Sequence, residues 1–154
     1  MKELIKKVKE RREGFTMAEL LIVVAIIAVL VAIAIPVFNG QLEKSRDAVS
    51  VSNIRAAYAE SQTAVLTYTA DVTTGDVQIS ATSTSGTATG YIVDVDGVAT
   101  KGTVASDNFS GLASELSFVD GSTVTLTEPA AGDHTLRFTY NTAGQITALA
   151  WDPS

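Results

Sequence analysis

The sequence predicts an α+β fold. One long N-terminal helix, apolar in its first half and amphipathic in its second, packs on an antiparallel β-sheet of about four strands. Three observations predict it. No charged residue interrupts the stretch from Leu20 to Phe38. Apolar residues then recur at helical spacing as far as Tyr68. Beyond Gly90 the chain breaks into short β-branched and aromatic runs separated by turn dipeptides.

The chain begins with a basic leader, residues 1–14, holding six of the eleven Lys/Arg and three of the seventeen Asp/Glu. That segment sums to +3, leaving five bases against fourteen acids, or −9, over residues 15–154. A basic leader, an apolar run and an acidic remainder argue for membrane insertion. The acidic Thr/Ser/Gly-rich body argues against nucleic acid, because binding phosphates requires a basic face. Cysteine is absent and histidine occurs once. Thiolate chemistry, disulfides and multi-His metal sites are thereby excluded.

Residues 15–38 form the second segment. As one helix, Leu20–Phe38 spans about 28 Å at 1.5 Å per residue, close to the hydrocarbon thickness of a bilayer. A buried core helix would normally carry a polar face, and this run has none. The positive-inside rule holds the leader in the cytoplasm and places residues 39–154 outside. Pro36 removes a backbone donor, and Asn39 and Gly40 are poor helix formers, so a kink or melting point is expected just beyond the membrane. Ala18, Ala25 and Ala32 repeat every seven residues, with Ala28 near the same stripe. Small residues on one face let apolar helices approach closely, although Ala is also simply common in such helices.

The third segment, residues 41–68, is the amphipathic half. Val51, Ile54, Tyr58, Val65 and Tyr68 share one helix face, with Ser61 filling the gap. Glu43, Lys44, Arg46, Asp47, Arg55 and Glu60 are expected to supply its polar surface. A Thr/Ser/Gly-rich loop is expected over residues 69–90 and a β-meander over 91–152. Its strands are read at Tyr91–Val95, Leu116–Val119, Thr123–Thr127, Thr135–Tyr140 and Gln145–Trp151, with hairpin turns at Asp96-Gly97, Asp120-Gly121 and Asn141–Gly144.

Gly14-Phe15-Thr16-Met17-Ala18-Glu19, running into Leu20-Leu21-Ile22-Val23-Val24, resembles the class III signal of type IV prepilins. The resemblance is strong over residues 14–45, extends to the amphipathic helix by pattern, and reaches the β-body only in architecture. It implies that a prepilin peptidase cuts between Gly14 and Phe15, and that the same enzyme methylates the new N-terminus at Phe15. It also implies assembly through Phe15 and Glu19. A carboxylate in a lipid-facing run costs about 2.5–3.5 kcal/mol if deep, so it should find a cation. The Phe15 ammonium of a staggered neighbour would be that cation, and an interfacial anchor in the headgroups is the plainer reading of Glu19.

The implied function is that of a structural subunit, a major pilin without enzymatic activity or cofactor. It would be held in the cytoplasmic membrane as precursor, then polymerised with copies of itself by the pilus assembly platform into an extracellular fimbrium. Adhesion, twitching motility or DNA uptake are the roles such a filament serves. The cysteine pair of many Gram-negative members is missing, which points to a Gram-positive-type member. A minor pilin and a type II secretion pseudopilin remain open.

Two rivals come from other classes. Ala32-Ile33-Ala34 has the small-x-small form of a signal peptidase site, which would release a soluble β-rich binding protein. Asp133-His134 with a serine is the only hydrolase ensemble available, and adjacency along the chain is not triad geometry. Asp94-x-Asp96-Gly97 matches part of a calcium loop but lacks its remaining ligands.

Overall fold

The computed structural model describes residues 15–103, 109–116 and 126–152. They fall into two compact units that divide after Gly40.

A continuous helix, α1, runs Met17–Leu66 with Pro36 inside it. Up to Gly40 every described residue is exposed. From Gln41 the helix belongs to a body with a core. Val51 and Ile54 bury themselves at three-residue spacing, joined by Ala57 three residues on. Tyr58, Val65 and Tyr68 pack partly buried against the same core. Ser61 holds its place in that stripe through its hydroxyl, which donates to the Tyr58 carbonyl at 2.8 Å and sits 2.6 Å from Tyr140 Oη. Burial holds the Tyr140 hydroxyl at a pKa of about 12.

Among the described residues the sheet has five antiparallel strands in sequential order: β1 Val72–Thr74, β2 Val77–Thr84, β3 Thr87–Thr100, β4 Gly132–Asn141 and β5 Ile146–Trp151. Its buried face presents Ile79, Val93, Val95, Leu136, Phe138, Tyr140 and Leu149. In β4, Leu136, Phe138 and Tyr140 alternate with half-buried residues, the period-2 pattern of a strand with one covered face. On the other face Arg137 takes Asp94 at 2.7 Å through both Nε and Nη2, and Asp152 at 3.1 Å. The hydrogen bonds to Asp94 hold its guanidinium pKa above the ordinary value.

Four expectations change. The Thr/Ser/Gly-rich stretch is not a loop: β1, β2 and the start of β3 occupy it. Ser85-Gly86, both at positive φ (53° and 82°), make the two-residue turn that the strands' twist favours. Asp96-Gly97 is not a hairpin. β3 continues through it with a register shift between Val95 and Val98, and Gly97 at φ 72° supplies the bulge. Leu116 ends a short 3-10 stretch, Phe109–Leu116, rather than opening a strand. The rest of that expected strand, the Asp120-Gly121 turn and residues 123–125 of the next lie outside the described residues, and Leu126 and Thr127 are irregular.

Asp47, expected on the polar surface, is fully buried. It stands four residues before Val51 and seven before Ile54, so it shares their face, and Ser110 Oγ donates to it. Beside it Ser50 Oγ accepts from the Lys101 amide at 2.9 Å and lies 3.4 Å from the buried Glu128 Oε1.

Candidate functional site: the N-terminal segment

The first turn of α1 is locally determined. Thr16 is the N-cap: its Oγ1 accepts from the Glu19 amide at 3.2 Å. Glu19 Oε2 in turn accepts from the Thr16 amide at 2.7 Å and the Thr16 hydroxyl at 2.8 Å. This is a reciprocal capping box, which satisfies orphan donors at the helix start. Thr-x-x-Glu ahead of an apolar run is its sequence signature, so Thr16 was findable from residue spacing alone. The carboxylate also lies in the first turn, where the helix dipole favours negative charge.

Beyond that turn and as far as Gly40, the helix stays exposed among the described residues. Sixteen large apolar side chains from Phe15 to Phe38 are exposed, from 47% at Val31 to 83% at Phe15. Met17–Leu66 includes an 18-residue window of mean hydropathy 3.4, long and apolar enough to cross a membrane. Contiguous apolar surface of this extent marks a membrane or protein contact. Ala18, Ala25, Ala28 and Ala32 lie on this helix and are exposed.

The structure carries α1 without interruption through Pro36, Asn39 and Gly40, where the composition leads one to expect a kink or melting. Strong helix formers, Gln41, Leu42, Glu43 and Lys44, follow the site directly. A Cβ added to Gly40 would meet nothing within 4 Å. No close approach therefore requires glycine there, and its effect is to weaken the helix by about 0.5–1 kcal/mol relative to alanine.

Gly14 lies outside the described residues, so the Gly14-Phe15 bond is placed only at its Phe15 side. His134, the single histidine, sits in β4 with its ring 5.5 Å from that of Trp151 and its Nε2 2.8 Å from the Ala130 carbonyl. Among the described residues no group of three or more His, Cys, Asp or Glu could hold a metal ion.

Residues 10–35 match the family described as the prokaryotic N-terminal methylation motif. The chain is 43% identical over 54 residues to a type IV major pilin protein PilA of Myxococcus xanthus (strain DK1622), covering 35% of this chain and 24% of the relative. It is 50% identical over 44 residues to a type IV major fimbrial protein FimA of Dichelobacter nodosus, covering 29% and 28%. The chain thus spans about a quarter of the length of the curated relatives it matches. No solved structure matches it.

Proposed function

With the N-terminal segment of a type IV pilin as premise, we propose that this chain is the major structural subunit of an extracellular filament, polymerised through α1. The observation that carries the reading is the division of the molecule. Among the described residues all of the buried apolar side chains lie beyond Gly40, while residues 15–38 expose a continuous apolar surface. Before assembly the bilayer covers that surface, and afterwards copies of the same helix do. The subunit is structural and not an enzyme.

Processing follows the same reading. A prepilin peptidase cuts between Gly14 and Phe15 on the cytoplasmic side, and the new Phe15 amine is methylated. Removal of the leader leaves a cation four residues before Glu19. The precursor resides in the cytoplasmic membrane and the assembly platform draws it into the pilus. Pro36, Asn39 and Gly40 let the helix yield there when copies pack, and Ala18, Ala25, Ala28 and Ala32 permit their close approach. Adhesion, twitching motility and DNA uptake are the services such a fibre performs.

Mass spectrometry of sheared filaments should find a chain beginning at N-methylated Phe15. Gly14→Ser should block cleavage and filament formation while leaving membrane insertion intact. A mature terminus at Ile35, as a signal peptidase would leave, refutes the reading.

A further inference from the structure

The body carries a groove of about 530 Å³ beside its core. The last turns of α1 and the first two strands line it, with Ala64, Val72, Val77 and Ile79 among its apolar residues and the exposed Glu60 and Asp76 as its carboxylates. Its chemistry is both apolar and anionic. From Ala56 to Thr100 the sequence holds five Asp/Glu and no Lys, Arg or His, so no base within that stretch answers those carboxylates.

The complement lies elsewhere on the same helix. Lys44 is exposed, and its ammonium makes no ion pair or hydrogen bond with a described residue. Sixteen residues separate Lys44 from Glu60, which at about 100° per residue puts them some 160° apart, on opposite flanks of α1. A base and an acid on opposite flanks cannot meet within one chain. Two parallel copies lying side by side bring them to one level when shifted along the axis by about 24 Å, the rise of sixteen helical residues.

We propose that the groove receives a second copy of this chain, with Lys44 of one subunit laid between Glu60 and Asp76 of the next. The lysine stem covers the apolar residues while its ammonium stays at the exposed carboxylates. The contact is heterologous and does not close on itself, so it propagates along a fibre. It rests on the filament reading and adds to it a determinant of register that lies in the body rather than in the apolar helix.

Native filaments test it directly. Zero-length carbodiimide coupling should join Lys44 to Glu60 or Asp76, read by peptide mass spectrometry. Such a link is between subunits, because 24 Å along one helix prevents it within a chain. Lys44→Glu and Glu60→Lys should each lower the sheared subunit about tenfold or more by setting like charges together, with cleavage at Phe15 unchanged. The double variant carrying both should recover filaments, which a merely structural loss would not. Filaments that form normally in both single variants, or a groove coupled to a foreign protein or protected by a small apolar ligand, overturn the proposal and leave the pilin reading standing. Absence of filaments from the parent chain, with no terminus at Phe15, overturns both.

Discussion

Glu19 shows how one residue can serve two states of one molecule. In the single chain its carboxylate closes the capping box with Thr16. That arrangement is exposed and satisfies donors at the helix start. In the proposed staggered bundle the same carboxylate would face a neighbour's Phe15 ammonium with water excluded, and removing one side of a buried pair costs about 3–5 kcal/mol. Glutamine separates the roles, since Gln serves a capping box as Glu does but supplies no charge. Glu19→Ala and Glu19→Gln should both be cleaved and inserted normally, and both should give few or no filaments in the sheared fraction. Normal filaments from Glu19→Gln alone would reduce Glu19 to a helix cap. Normal filaments from both variants would leave it a headgroup anchor.

At the scale of elements, the short edge strand β1 depends on one carboxylate. Asp71 accepts from the Ala81 amide at 2.8 Å and from the Tyr68 hydroxyl at 2.6 Å. The Tyr68 bond, then that amide, lower the Asp71 pKa below its ordinary value, and the Tyr68 hydroxyl is raised in return, chiefly by the same bond. A depressed folded pKa gives stability that is present above the unfolded value and lost as pH falls through the folded one. Protection of the Ala81 amide from hydrogen exchange should therefore hold through mildly acidic pH and fail only below the ordinary carboxylate range. In Asp71→Asn that dependence should vanish, and a parent profile without it would show that the anchor is immaterial.

The same elements show what sequence patterning can reveal. The helix, its buried stripe and β4 were legible because period 3.6 and period 2 leave clear traces at Val51, Ile54, Leu136 and Phe138. The capping box was equally local and was readable from Thr16-x-x-Glu19. Asp47 shared the stripe's spacing, yet its type argued for solvent; a partner as distant as Ser110, 63 residues away, helps to offset its burial. The Asp96-Gly97 dipeptide permits positive φ without dictating whether a chain reverses or bulges. Pairing with β4 decides that, because Val95 opposite Leu136 and Val98 opposite His134 keep both halves of β3 on one partner. The strands β1 and β2 were hidden because Thr and Ser have no burial pattern of their own. Ile79, facing Val93, is the one fully buried apolar residue that anchors them.

For the molecule as a whole, the division after Gly40 predicts independent behaviour of the two parts. Among the described residues the core runs from Val51 to Leu149 and includes none of residues 15–40. Residues 41–154 should therefore fold alone, with mixed α/β circular dichroism and a single cooperative urea transition. They should be monomeric, because a groove taking one lysine and its surroundings buries far less than the roughly 1,200 Å² of a stable interface. Ile54 sits fully buried between helix and sheet, and Ile54→Ala should cost this body about 2–5 kcal/mol by urea denaturation. The chain from Phe15 onward should instead need detergent, a bilayer or assembly to stay dispersed, because its uncovered apolar helix has no other place to go. Sedimentation of the two forms in the same buffer distinguishes the outcomes. A body that oligomerises or fails to fold without residues 15–40 would mean that the apolar helix contributes to the core, and polymerisation could no longer be assigned to that helix alone.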